Sequence, residues 1–325
     1  MMDPENKEPV TDNIPFSTGK SDLKVQRLTG STSFGYFLVL VAAAFWATLG
    51  IFYKTLISTY HLTPLAIVFW RALIAAAALF LYLRFRQKSG LFLKKRDGFF
   101  FLAFGLIGVA AFFVVYIIAI SVTGMGVAAV LMYTAPVWVT ILGALLMGES
   151  IDRRKGVALF LAVAGSGMVG RVYDLDGVRI NFAGLLAGIG AGLGYGSYIL
   201  FSKTAARRSY NPWTTLAYAL GIGALFLLPL QEPSELARVL ASPPILLWLL
   251  GIGLLPTIGG GLAFNAALHS IPASNASIVA TLEPVIASIL GWAIFAEHFD
   301  TYQMMGGALI VTAVVLLQLN KSNTK

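Results

Sequence analysis

The sequence predicts an all-α integral membrane protein of ten transmembrane helices, arranged as two inverted five-helix repeats. Three observations carry this. Of 325 residues, 58% are hydrophobic and only 12% are charged, whereas soluble domains carry about a quarter charged residues. Apolar runs long enough to cross a bilayer, roughly 17 to 25 residues each, recur ten times along the chain. The chain also matches itself when displaced by 148 positions.

In order, residues 1–33 are polar, hold Pro4, Pro9 and Pro15, and lack an apolar signal core, so they read as a disordered cytoplasmic tail. A first repeat over 34–171 contains apolar runs at about 34–57, 64–83, 98–120, 125–147 and 152–170. A second repeat over 182–320 contains runs at about 182–203, 212–230, 243–269, 273–296 and 303–319, and leaves a short cytoplasmic tail at 321–325. Eighteen Lys and Arg fall in one set of alternate segments: the N-terminal tail, 84–96, 153–155, 203–208 and the C-terminus. The other set holds four, Lys54, Arg171, Arg179 and Arg238. Cytoplasmic loops carry the excess of Lys and Arg, so both termini are expected in the cytoplasm. The formal charge of +8 then follows from topology, and nucleic acid is not indicated as a partner. There is no cysteine, and the three histidines show no HExxH spacing, so no metal or cofactor is expected.

The self-match is ordered. TAPVWVTILG (134–143) falls on LEPVIASILG (282–291), with Pro136 on Pro284 and Gly143 on Gly291. Glu149 then meets Glu297, Asp152 meets Asp300, and Pro64 meets Pro212; with one further residue of shift, Trp46 and Lys54 meet Tyr195 and Lys203. Five spans is an odd number, so the second half must enter the bilayer from the opposite face. That is the inverted repeat of secondary transporters, whose substrate site lies between the halves near the midplane.

Three stretches, FWRALIAAAALFL (69–81), TAPVWVTILGALLMGES (134–150) and the run LEPVIASILGWAIFAEHFDTYQMMGGALIVTAVVLL (282–317), resemble the drug/metabolite transporter superfamily, in its ten-span branch with two EamA-type domains. The resemblance implies a multi-pass carrier of the inner membrane. It would move a small polar metabolite by alternating access, with export of amino acids or related compounds as the leading expectation and no enzymatic activity. It also implies a cavity lined by the first, third, fourth, sixth, eighth and ninth spans. Carried onto this chain, that makes Trp46, Tyr116, Tyr133, Tyr195, Asn265 and Glu283 the substrate-binding candidates.

Two ionisable residues lie deep in spans. Counted from the outer face at 1.5 Å rise per residue, Arg71 is about 10 Å and Glu283 about 20 Å down. Intramembrane ionisable residues are costly and mark function, and Pro284 beside Glu283 adds a loosened backbone. Three roles for Glu283 stay open: an ion pair with Arg71, binding of a cationic substrate, and carriage of a coupling proton. Arg71 can equally belong to the scaffold pattern of its span, and His269 is either a gate that titrates near neutrality or a helix-end residue. Aromatic faces attract ammonium groups, so transport of organic cations, quaternary ammonium compounds or drugs is the alternative function. A nucleotide sugar would want several deep bases. An intramembrane enzyme would need a nucleophile with its base, and neither GxSxG nor a second deep carboxylate is present. The glycines of 184–196 and 251–261, some at GxxxG spacing, provide close helix seams.

Overall fold

Four of the helices begin at short polar residues whose side chains satisfy backbone N–H groups. Thr63, before Pro64, accepts from Ala66 at 3.2 Å, and Asn211, before Pro212, accepts from Thr214 at 2.7 Å. Asp152 accepts from Lys155 at 2.7 Å, and Asp300 closes a capping box with Gln303. Each pair of caps is separated by 148 positions, so the duplication extends to the local chemistry that starts the helices.

The structure, a computed structural model, describes residues 31–171, 173, 182–296 and 300–319. Ten long helices run through them: α1 (Thr32–Ser58), α2 (Pro64–Arg86), α3 (Lys95–Thr123), α4 (Gly126–Met147), α5 (Arg153–Val169), α6 (Phe182–Arg207), α7 (Pro212–Leu230), α8 (Pro243–Ala267), α9 (Ala273–Phe295) and α10 (Thr301–Gln318). No strand occurs among the described residues, so the chain is an all-α membrane protein. Nine of these helices are long and apolar enough to cross a membrane. The expected tenth, α5, has 17 residues and opens with Arg153, Arg154 and Lys155, which shortens its apolar part. The N-terminal tail through residue 30, Arg179, Glu297 and the C-terminal residues from 320 lie outside the described residues.

The repeat also recurs in the irregularities. α3 widens into a π-helical stretch at Phe104–Ala111, and α8 does so at Gly253–Gly260, 149 positions later. α4 is broken between Met132 and Ala135, and α9 between Ala280 and Leu282. At the breaks the Thr134 hydroxyl donates to the Leu131 carbonyl at 2.7 Å and the Thr281 hydroxyl to Ile278 at 2.6 Å. These bonds satisfy acceptors that a bilayer has no water to serve. The break corrects one expectation: Pro284 does not interrupt a continuous helix. It is the third residue of a new helical segment, where its missing N–H is not needed.

Packing pairs the halves. α1 lies against α8, α3 against α6, α2 against α7 and α5 against α10, while α4 and α9 pack on α6 and α1 respectively. Exchanging the two halves leaves this set of neighbours unchanged. Large apolar side chains such as Phe85, Leu145, Phe160, Leu247 and Trp292 cover the outside, as a lipid-facing surface requires. Trp213 stacks on Tyr82 at 3.9 Å and Trp248 meets Phe52 edge-on at 5.7 Å, so both serve packing. A short amphipathic helix, Pro233–Leu240, precedes α8; its Glu235 accepts from the Thr63 N–H and hydroxyl, each at 2.8 Å.

At the α5–α10 seam, a Cβ on Gly306 would stand 2.7 Å from the Gly165 carbonyl oxygen and 2.7 Å from Met168 Cβ. Backbone must move to admit it. Gly306→Ala should therefore lower the thermal midpoint of the purified protein, at a cost of about 1–3 kcal/mol, and an unchanged midpoint would contradict this close approach.

Candidate functional site

The repeat brings one face of each central helix onto a shared cavity of about 270 Å3. On α1 the lining residues Trp46, Gly50, Tyr53 and Ile57 follow helical spacing; on α3, Val109, Phe112, Tyr116 and Ile120 do the same. Tyr133 arrives from the break in α4, Tyr195 and Tyr198 from α6, and Glu283 from the break in α9. α2 and α7 contribute as well, through Pro64, Val68 and Arg71, and through Leu216 and Leu220.

Rings form the deep wall. Trp46 lies 5.1 Å from Phe264 and 6.3 Å from Tyr195, and Tyr195 stacks between Phe112 at 5.7 Å and Tyr198 at 6.5 Å. Gly260 makes room for the indole, because a Cβ there would stand 2.5 Å from Trp46 Nε1. The Tyr195 hydroxyl is buried and without a hydrogen-bond partner.

Among the lining residues Glu283 is the acid and Arg71 the base. Glu283 sits in the first turn of the segment Leu282–Phe295, where the unpaired N–H groups and the helix dipole favour a carboxylate. Tyr133 and Arg71 are the groups that act on it electrostatically. Of the three roles left open for Glu283, the ion pair is not formed: no nitrogen–oxygen contact of 4.0 Å or less joins Arg71 to Glu283. Arg71 turns instead to Tyr53 and Phe113.

Trp46, Tyr116, Tyr133, Tyr195 and Glu283 thus meet around one volume, together with Arg71. Two candidates do not. Asn265 is 2% exposed and stands behind the wall, its amide donating to the Tyr198 hydroxyl at 3.3 Å and to the Gly261 carbonyl at 2.8 Å. His269 lies past the end of α8, exposed at the surface. Partial desolvation of its ring, and then the Lys203 ammonium, hold its pKa below the usual value. Tyr53, Phe113 and Tyr198 were not anticipated. Their signal was spacing alone: Tyr53 is seven residues after Trp46, and Tyr198 three after Tyr195.

A polar cluster closes the helix ends beyond the aromatic wall. Lys203 Nζ donates to the Leu268 and Ile271 carbonyls at 2.6 and 2.8 Å. Glu149 Oε1 accepts from Ala273 N–H at 2.7 Å, and Oε2 accepts from Ser274 N–H at 3.0 Å and from the Ser274 hydroxyl. Lys155 reaches the same hydroxyl at 3.0 Å. Charged groups here serve helix ends, whose last carbonyls and first N–H groups have no partner of their own.

Both halves of the chain, 33–171 and 182–319, match the EamA-like transporter family. The chain belongs to that family. It is a transporter and not an enzyme. Among EamA-like proteins it is 32% identical over 201 residues to an uncharacterized transporter of Archaeoglobus fulgidus, covering 62% of this chain and 70% of that one. It is 29% identical to the uncharacterized transporter YwfM of Bacillus subtilis, covering 86% and 92%. It is 27% identical to the pseudopaline exporter CntI of Pseudomonas aeruginosa, covering 78% and 86%. A solved crystal structure superposes with a TM-score of 0.75 at 18% identity over 89% of this chain and 98% of the other, which shows the shared fold.

Removing the Glu149 carboxylate strips three donors of their acceptor. Glu149→Ala should destabilise the folded protein by about 2–4 kcal/mol, since hydrogen bonds to charged groups contribute about 1.5–3 kcal/mol each and do not add fully. A thermal or denaturant midpoint equal to that of the parent would refute this account of the cluster.

Proposed function

We propose that this EamA-like transporter exports a small polar metabolite, an amino acid or related compound, by alternating access around Glu283. The observation that carries the reading is a half-buried carboxylate without a cationic partner, set in an aromatic cavity between two halves that share one fold. Such an acid is costly in a membrane unless a ligand or a proton meets it. The exporting relative supports the direction.

The two ends of the cavity differ, which supports alternating access. It extends to Ile57, Pro64 and Ile120 at one end, while the Lys203 and Glu149 bonds close the other. Lys54, the repeat mate of Lys203, lies over the Phe295 ring at 3.8 Å. With the Lys- and Arg-rich loops in the cytoplasm, the Lys203 end is the cytoplasmic gate and the conformation faces outward. Ten spans in two oppositely oriented sets of five, with both termini cytoplasmic and the protein in the cell's inner membrane, complete this reading. Trp46, Tyr116, Tyr133 and Tyr195 then contact substrate, and Asn265 positions Tyr198.

A second reading has its own observation: one acid among aromatic rings also suits an organic cation. Glu283→Gln separates two roles of the carboxylate, holding an amine and carrying a proton, in proteoliposomes. If Glu283 holds a substrate amine, the variant should lose amino acid and amine transport alike. If it carries only a coupling proton, downhill transport should survive and pH-driven accumulation should fail. Full activity of Glu283→Gln in both assays would sink both roles.

A further inference from the structure

Arg71 faces the same cavity with no counter-ion. It is 9% exposed, its Nε has no hydrogen-bond partner, and its Nη1 donates to the Tyr53 hydroxyl at 3.4 Å. The Phe113 ring lies under the guanidinium at 4.9 Å. Both neighbours orient the group and neither neutralises it. A guanidinium does not shed its proton as a buried lysine does, so the cavity wall carries a permanent positive charge. Glu283 lines the same cavity, beyond ion-pair distance.

We propose that Arg71 is a carboxylate-binding group and Glu283 its ammonium-binding counterpart, so that the site selects amphoteric molecules bearing a carboxylate and an amine. The proposal rests on the reading of this cavity as the transport site. The argument is one of charge matching. A monoamine bound at Glu283 leaves Arg71 buried and unpaired, and a monocarboxylate bound at Arg71 leaves Glu283 so. Leaving one partner uncompensated is the expensive case for buried charge. A molecule with both groups satisfies the two poles at once and adds no net charge of its own. The guanidinium fork suits a carboxylate, which it can meet with two parallel N–H donors. The apolar and aromatic walls between the poles leave room for an uncharged substituent.

The test uses purified full-length protein and two matched trios: L-leucine, isopentylamine and 4-methylpentanoate; L-phenylalanine, phenethylamine and 3-phenylpropanoate. At least one amino acid should bind about tenfold or more tightly than both of its one-charge analogues, given the cost of an unpaired buried charge. Arg71→Gln should abolish that advantage over the amine without weakening the amine itself. Tyr53→Phe, which removes the acceptor that orients the guanidinium, should reduce the advantage in the same direction, and it serves should Arg71→Gln fail to fold. Amines that bind the parent protein as tightly as their amino acids, equal losses for amine and amino acid in the variants, or no binding by any of the six would overturn the proposal. Labelled uptake into proteoliposomes keeps the two readings apart. Transport that does not distinguish amine from amino acid leaves the transporter reading standing and removes the role of Arg71. Predicted binding without movement of any of the six would do the reverse.

Discussion

A bilayer offers no water to a backbone that leaves its helix, and the rest of this structure depends on how two helices are interrupted under that constraint. Each break needs partners for the freed groups. Thr134 and Thr281 return hydroxyl donors to carbonyls just before the breaks, and Pro136 and Pro284 occupy early positions of the resumed segments, where an N–H would be surplus. The broken helices present fresh N-termini inside the protein, next to the cavity. In the second half that terminus carries Glu283; in the first half Ala135 stands at the matching position. The duplicated frame therefore carries an asymmetric site: Arg71 and Tyr133 of the first half likewise stand opposite Ala219 and Thr281.

Charge is distributed with the same economy. Lys203, Glu149 and Lys155 are spent on helix ends, where Lys203 and Glu149 supply partners the backbone would otherwise lack. Arg71 and Glu283 are left to the cavity, each steered by aromatic or phenolic neighbours. Helix packing works beneath this arrangement. Gly165 and Gly306 let α5 and α10 approach to backbone distance, and Gly260 admits the Trp46 indole. These contacts bring distant residues to one wall.

The amino-acid pattern alone was enough for much of this, and the reason is periodicity. Long apolar runs in a chain of low charge have one stable solution in a membrane, and an ordered self-match implies a duplicated frame whatever the tertiary details. Glu283 stood out because an acid in an apolar run has no cheap explanation. Tyr53, Phe113 and Tyr198 did not stand out, since aromatic residues are ordinary in such helices and only their facing direction distinguishes lining from packing. Asn265 came from the resemblance, which assigns its span to the cavity; its amide NH2 instead donates to Tyr198 and Gly261 behind the wall.

The sequence by itself determined the helical membrane class, the duplication and the single deep acid, because hydropathy, spacing and the cost of a buried charge are properties of the chain. Tertiary structure decided that Arg71 and Glu283 share a cavity without pairing, that α2 and α7 reach it, and that Lys203 caps the Leu268 and Ile271 carbonyls. Those facts turn on the rotation and approach of helices far apart in sequence. Side-chain reach, backbone breaks and glycine seams set them jointly, and none of these can be resolved one span at a time.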